Sequence, residues 1–380
     1  MTETNSTANS KRKLKIIHTE SSCGWGGQEI RILTESQGMM ERGHNVSILC
    51  PSHAPIFAEA KERGIPVFPL PIAKKTIKGL LATINYLKKN PADVINTHSS
   101  TDSWMVSLAK LFSGGKFAIV RTRHVSAPIN NHFTTRWLYT KAAEHIVTTG
   151  IKLKETLVND NGFPEHMITS IPTGIDTSIF KPDDKQAARA ELKLPQDKTI
   201  IGILATLRSW KGHKYLVDAI AQLKQNTGKD DIHLLIVGDG PQRENLEKQI
   251  AELGIKEITT MPGNQKNPYK WLQAMDIFTL PSYANEGVPQ GLMQAMLTKL
   301  PVISTPVGSI TEIIENDKTG LIINPEDTNA LAEAIKSLLE STDTANNLAE
   351  IGYKFALENF SKELMVEKME KIFIASCCKQ

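Results

Sequence analysis

A chain of 380 residues, 40% apolar and 22% charged, exceeds what one hydrophobic core usually serves and has an ordinary globular composition, so two domains of similar size are expected. The formal net charge of +3 carries no nucleic-acid signature, and the longest apolar runs, such as Leu234 to Val237, fall far short of the roughly 20 residues that span a bilayer. Four cysteines, Cys23, Cys50, Cys377 and Cys378, show neither CxxC nor Cys/His ligand spacing, and no apolar signal core opens the chain, so a reduced, cytoplasmic protein is expected.

Residues 1 to 12 are rich in Ser, Thr and Asn and have no apolar period to bury, which predicts a disordered tail. From Leu14 onward, short β-branched runs alternate with helical patterns. Strands are predicted at Leu14 to His18, Asn45 to Cys50, Val67 to Leu70, Val94 to Thr97, Phe117 to Arg121 and His145 to Thr148. The rhythm restarts after Pro172-Thr173-Gly174-Ile175-Asp176, with strands at Thr199 to Leu204, His233 to Val237, Ile258 to Met261, Ile277 to Leu280, Val302 to Ser304 and Gly320 to Ile323. Alternation of this kind gives parallel sheets with helices on both faces, hence an α/β chain of two doubly wound, Rossmann-like domains. A proline-broken hinge is expected at residues 177 to 184, and a last helix at Lys362 to Ala375 with Ser361 as its N-cap.

The charge is divided unevenly. Residues 1 to 178 hold 21 Lys and Arg against 14 Asp and Glu, giving +7, and residues 179 to 380 hold 23 against 27, giving −4. Lys74, Lys75, Lys78, Lys88 and Lys89 flank Ile77, Leu80, Leu81, Ile84 and Leu87 at helical spacing. Such a basic amphipathic helix suits two roles, a peripheral contact with anionic lipid on the inner face of the cytoplasmic membrane or an ordinary solvated helix packed on its own sheet.

Four loops carry the candidate chemistry. The first βα junction contains Gly24, Gly26 and Gly27, whose spacing rejects the dinucleotide fingerprint and lets backbone approach a ligand. The strand ending at Leu204 leads into Arg208 and Lys211, a planar fork and a point charge suited to phosphate oxygens. His98 and His124 end predicted strands of the first domain, His98 reading more simply as a loop-capping residue. The run Glu286-Gly287-Val288-Pro289-Gln290-Gly291-Leu292-Met293-Gln294 links an apolar strand to a helix, setting a carboxylate beside free amides and a helix tip.

This last run resembles the Glu-x7-Glu signature of retaining GT-B glycosyltransferases of the family numbered 4, with Gln294 standing where the second Glu would be. The resemblance extends over about residues 14 to 375, through the loops Val237 to Pro241, Pro262 to Asn267 and Pro301 to Gly308. It implies the GT-B fold, two Rossmann-like domains facing across a cleft. An acceptor domain would span residues 13 to 177 and a nucleotide-sugar donor domain residues 178 to 360, with residues 361 to 380 forming a helix that returns to the first domain. It further implies that Glu286 contacts the transferred sugar, with the Gly287 and Val288 amides on its hydroxyls. The Gly291 and Leu292 amides would hold phosphate, and Gln294 the ribose. Arg208, two positions beyond the family's usual arginine, and Lys211 would neutralise the departing diphosphate; His124 would face the donor sugar; Gly26 and Gly27 would lie beside donor phosphates and acceptor.

The function so implied is that of a retaining glycosyltransferase, without cofactor or metal. It would move sugar from a UDP- or GDP-sugar to a hydroxyl of a glycolipid or growing glycan in bacterial lipopolysaccharide, O-antigen or capsule synthesis. Two alternatives share the fold: an epimerase of nucleotide sugars, and a non-catalytic subunit that binds the nucleotide sugar.

Overall fold

The computed structural model describes residues 12–124, 129–227 and 231–378; most of the serine-rich tail lies outside them. The first domain holds strands β1 (Lys15–Thr19), β2 (Asn45–Cys50), β3 (Val67–Pro69), β4 (Val94–Thr97), β5 (Ala118–Arg123), β6 (His145–Thr148) and β7 (Ile168–Ser170). Its helices are α1 (Gly27–Glu41), α2 (Pro55–Glu62), α3 (Ile77–Lys89), α4 (Ser100–Ser113), α5 (Phe133–Thr140) and α6 (Ile151–Asn159). The second domain holds β8 (Thr199–Leu204), β9 (Ile232–Val237), β10 (Thr259–Gly263), β11 (Ile277–Leu280), β12 (Val302–Ser304) and β13 (Leu321–Ile322). Its helices are α7 (Lys185–Leu192), α8 (His213–Thr227), α9 (Arg243–Glu252), α10 (Pro268–Gln273), α11 (Gln290–Leu297), α12 (Thr328–Glu340) and α13 (Thr342–Phe360), and α14 (Lys362–Cys377) closes the chain.

Both sheets are parallel throughout, in the orders β3-β2-β1-β4-β5-β6-β7 and β10-β9-β8-β11-β12-β13. Helices on both faces bury each strand twice over, which is why β9 reads as an apolar run, buried at every position, rather than as an alternation. In each sheet the strand order reverses once, between β1 and β4 and between β8 and β11. At such a reversal the two neighbouring loops diverge and leave a crevice outside the carboxyl ends of the strands. The loops after β1, β4, β8 and β11 are therefore the ones the topology commits to ligand.

One strand escapes sequence reading. β7 is three residues long and sits on the edge of its sheet, too short to display a period. The second domain has one continuous core, whereas the first is divided by its sheet into separate apolar clusters. One of those clusters is completed from outside the domain: Met365, Val366, Met369 and Phe373 of α14 pack with Leu14, Ile16, Val94 and Val120. The Ser361 hydroxyl accepts from the Leu364 amide at 3.3 Å and so starts α14, while the Lys362 amide donates to the Ile175 carbonyl at 2.9 Å. On the same face, His44 Nε2 lies 2.9 Å from Glu370. Gly38 leaves room for α14, because a Cβ there would fall 2.4 Å from Val366.

Candidate active site

The loop after β8 is held tightly against the loop after β11. Gly212, with φ +76°, lets the chain turn where a Cβ would strike the Pro281 carbonyl oxygen at 1.9 Å. Lys211, one residue earlier, thereby reaches Glu286: its Nζ donates to Oε1 at 2.7 Å and Oε2 at 2.9 Å. The Ser282 hydroxyl donates to the same carboxylate at 2.6 Å. Glu286 is buried, its side chain 4% exposed, against 20% for Lys211, so the ion pair is largely shielded from water. Gly308, φ +61°, lies under the Glu286 backbone, where a Cβ would approach the Glu286 carbonyl oxygen to 2.0 Å.

Helix α11 begins at Gln290 rather than directly after Glu286, with Pro289 at its N-cap. The carboxylate therefore does not cap the helix; Lys211 and Ser282 take it instead. The Leu292 amide donates to the Pro289 carbonyl at 3.2 Å and is spent within the turn. This corrects the assignment of Leu292 as a phosphate donor: the amides left at the helix tip are those of Gln290 and Gly291. Gly291 is required by close packing, since a Cβ there would lie 2.6 Å from the Leu204 carbonyl oxygen. Gln294, one turn further along α11, is buried.

Across the cleft, the first domain supplies the opposite wall. A cavity of about 160 Å3 is bounded by Asn285, Glu286, Gly287, Gly308 and Ser309 on one side and by His124, Thr149, Gly150 and Lys152 on the other. The domains touch here. Gln290 Nε2 donates to the Gly27 carbonyl at 2.6 Å, and a Cβ on Gly27 would fall 2.7 Å from that nitrogen. The Ile151 and Lys152 amides at the start of α6 donate to the Glu312 carboxylate at 2.7 and 2.8 Å. Gly26 is the N-cap of α1 in extended backbone, and a Cβ on it would meet nothing closer than 3.9 Å, whereas a Cβ on Gly27 would displace the Gln290 amide from its place against the loop.

His124 is the terminus of a chain of three imidazoles. His18 Nδ1 lies 3.0 Å from His98 Nε2, and His98 Nδ1 lies 2.9 Å from His124 Nε2. Burial and then the Arg31 charge hold His18 down to about 3; burial, with the neighbouring histidines and Arg31 adding to it, holds His98 well below the ordinary histidine value; burial, Arg31 and Arg123 do the same to His124. All three rings are neutral at pH 7, so each has one N–H and one lone pair. The Glu35 carboxylate, 4.0 Å from His18 Nε2, makes no hydrogen bond to it, and only its negative charge favours the proton on that nitrogen. His18 Nδ1 then accepts from His98 and His98 Nδ1 accepts from His124, which leaves the His124 Nδ1 lone pair as a hydrogen-bond acceptor. His98 is thus a ring relay, not a loop cap.

Behind this chain lie two buried acids, Glu20 in the loop after β1 and Asp102 in the first turn of α4. Glu20 is pushed up to about 7 by burial and by Asp102, and Asp102 to about 6 by burial. Asp102 accepts from Thr19 Oγ1 at 2.8 Å and from the His98 and Ser99 amides at 2.9 Å each; Glu20 accepts from the Ser22 amide at 2.6 Å and from Ser99 and Gln28.

Most of the nominated residues converge. Glu286, His124 and Gly287 line one cavity, Lys211 binds Glu286, and Gly27 meets the α11 tip. Val288 packs near Gly150, where a Cβ would lie 3.0 Å from its Cγ2. Arg208 does not converge: it is exposed, its guanidinium 5.7 Å from the Trp210 ring centre, and it does not line this cavity. Thr149, Gly150, Asn285, Gly308 and Ser309 escaped the sequence reading. Only Gly308 left a trace there, as the end of the Pro301 to Gly308 run, and Asn285 adopts a left-handed φ of +56° that no pattern announces.

Residues 25–179 match the family model described as Glycosyltransferase Family 4, and residues 184–355 match Glycosyl transferases group 1. Both domains are glycosyltransferase family domains. The lipopolysaccharide core biosynthesis mannosyltransferase LpsB of Rhizobium meliloti is 29% identical over 52% of the chain and 59% of its own length. The UDP-Gal:alpha-D-GlcNAc-diphosphoundecaprenol alpha-1,3-galactosyltransferase of Escherichia coli is 22% identical over 95% of the chain and 97% of its own. The chain spans only 49% to 59% of the length of several curated relatives it matches. A solved glycosyltransferase from Rickettsia africae ESF-5 superposes with a TM-score of 0.84 at 22% identity, over 96% of this chain and 98% of that one. That likeness establishes the GT-B fold for these two glycosyltransferase domains.

Proposed function

We propose that the chain is a retaining glycosyltransferase that takes a nucleoside diphosphate sugar as donor and a hydroxyl of a lipid-linked or growing glycan as acceptor. The observation that carries this reading is the buried Lys211–Glu286 pair, set beside the Gln290 and Gly291 amides and facing His124 across the cleft. Glu286 and the Gly287 and Val288 amides take the sugar hydroxyls. Lys211 and the α11 tip take the diphosphate, joined by the exposed Arg208, and Gln294 takes the ribose through its amide oxygen. Charge accumulates on the diphosphate as the glycosidic C–O bond breaks, so a cation and a helix tip aimed there favour the transition state over the ground state without a metal ion.

The acceptor oxygen then bonds to the anomeric carbon on the face the diphosphate leaves. The departing phosphate oxygen takes the acceptor's proton, and the configuration is retained. The first domain is the acceptor domain in this scheme, the second the donor domain, with α14 tying the two together. Bacterial envelope polysaccharide is the setting supported by the relatives' own activities. Peripheral contact with the cytoplasmic membrane is supported by α3: Ile77 and Leu81 are 79% and 54% exposed beside Lys74, Lys75 and Lys78, while Leu80, Ile84 and Leu87 face the core. Among the described residues no helix is long and apolar enough to cross a membrane.

The test is turnover of UDP- and GDP-sugars by the purified chain with glycan acceptors, the anomeric configuration of the product being read by proton NMR. Retention in the wild type and loss of transfer in Glu286→Gln are expected. An inverted product, or undiminished transfer by Glu286→Gln, overturns the assignment.

A further inference from the structure

A second cavity, of about 380 Å3, opens inside the first domain and shares His124 with the cleft. That volume is the size of a small ligand. Its walls include Gln28, Ser99 and Trp104, polar groups and an aromatic face of the kind that holds a sugar or polyol ring. Its floor carries Arg121 and Arg123, two residues apart on β5 and so on one face of the sheet.

The two arginines are built in. The Arg121 guanidinium carbon lies 4.2 Å from the Tyr139 ring centre, and Arg123 Nη1 donates to the Tyr139 hydroxyl at 3.2 Å, so one tyrosine orients both forks. Arg121 is only 5% exposed, yet its Nε and Nη1 find no hydrogen-bond partner among the described residues. Asp102 is close enough to feel the Arg121 charge but gives those two nitrogens no hydrogen bond: it spends its oxygens on Thr19 and the His98 and Ser99 amides, and Glu20 spends its own on Ser22, Ser99 and Gln28. A buried guanidinium with idle N–H groups is costly to maintain unless something else binds there. The fork geometry selects an oxyanion, taken bidentately.

We propose that this pocket is an oxyanion subsite and that the acceptor is a sugar or polyol bearing a phosphate or carboxylate, anchored by Arg121 so that its hydroxyl is presented past His124 toward Glu286. Naming the ligand as the acceptor rests on the glycosyl-transfer reading; the oxyanion site itself rests only on the Arg121 pocket.

The test is calorimetric titration of the full chain with glucose 6-phosphate, glucuronate and glucose, each with and without saturating UDP, in the wild type, Arg121→Gln and Arg121→Lys. The expected result is that at least one oxyanion probe binds and glucose does not, with phosphate against carboxylate decided by which probe binds. Loss of a charge-assisted bidentate contact weakens that probe by about tenfold or more in Arg121→Gln, with a smaller loss in Arg121→Lys, and leaves UDP binding unchanged. The lysine variant keeps the buried charge, so it reports the lost fork even where the glutamine variant does not fold. Silence from both oxyanion probes, equal binding of glucose, or wild-type affinity in the folded variants overturns the subsite. UDP binding without oxyanion binding sinks this inference and leaves the donor reading standing; oxyanion binding through Arg121 without UDP binding does the reverse.

Discussion

The Lys211–Glu286 pair lends itself to a double-mutant cycle. At separations of 2.7 and 2.9 Å and an effective dielectric of about 20, the gross attraction is about 6 kcal/mol. Desolvating Glu286, 4% exposed, and partly desolvating Lys211, 20% exposed, consumes much of it, leaving an expected coupling of about 3 kcal/mol. Lys211→Ala strands a buried carboxylate that keeps, among the described residues, only the Ser282 hydroxyl as a side-chain donor, so it is the harsher single change, at about 3–4 kcal/mol. Glu286→Gln costs about 2–3 kcal/mol, and the double variant falls short of the sum by the coupling. Urea unfolding monitored by circular dichroism supplies the four free energies; a loss of about 3 kcal/mol in a domain of this size also lowers its Tm by about 6–12 °C. Additivity to within about 0.5 kcal/mol would show that the two side chains do not share charge in solution, and the argument that Lys211 is held ready for the diphosphate by Glu286 would go with it.

Other outcomes follow from neighbouring geometry. Gly308→Ala forces a side chain into left-handed backbone and against the Glu286 carbonyl oxygen; it costs about 2 kcal/mol or more in unfolding free energy and abolishes donor turnover, and a folded, active variant would refute the need for glycine there. Glu20 has its folded value raised to about 7 from 4.5, so its contribution to stability is full below pH 4.5 and is lost as pH rises through 7. Glu20→Gln therefore gains on the wild type between those limits by about 1–2 kcal/mol, half the single-site figure because Asp102 shares the effect; a pH-independent difference in unfolding free energy would contradict it. Glu312→Ala removes the carboxylate that bridges the domains at the start of α6, so the radius of gyration from small-angle scattering rises; an unchanged profile would mean that this contact does not hold the domains together. Nitrogen-15 NMR of the imidazoles at pH 7 should show His124 protonated at Nε2, and the opposite tautomer would reverse the relay derived from Glu35.

Strand positions were legible because parallel strands buried on both faces are written as uninterrupted apolar runs; β9, β11 and β12 stand within a residue of their predicted limits. The three-residue edge strand β7 offers no such run and was invisible. Most of the site residues legible in sequence sit in loops the topology already points to, after β1, β8 and β11 at the reversals of strand order, with His124 after β5 the exception. Lys211 and Glu286 belong to that class, and their loops are punctuated by glycines whose necessity the packing against Pro281 and Glu286 makes plain.

What sequence could not disclose are pairings across long separations. Glu312 meets the amides of residues more than 150 positions earlier, and Gln290 meets Gly27 from the other domain. The histidines show the limit most clearly. His18, His98 and His124 come from three separate strand ends; only His124 was nominated for the site, His98 read as a loop cap, and His18 drew no notice. Only the adjacency of β1, β4 and β5 in one sheet places their rings in line, and only the carboxylate at the far end decides which nitrogen of the last ring is left with a lone pair. A site residue's type can be read from sequence, but its protonation state at the cleft is a property of the chain of neighbours behind it.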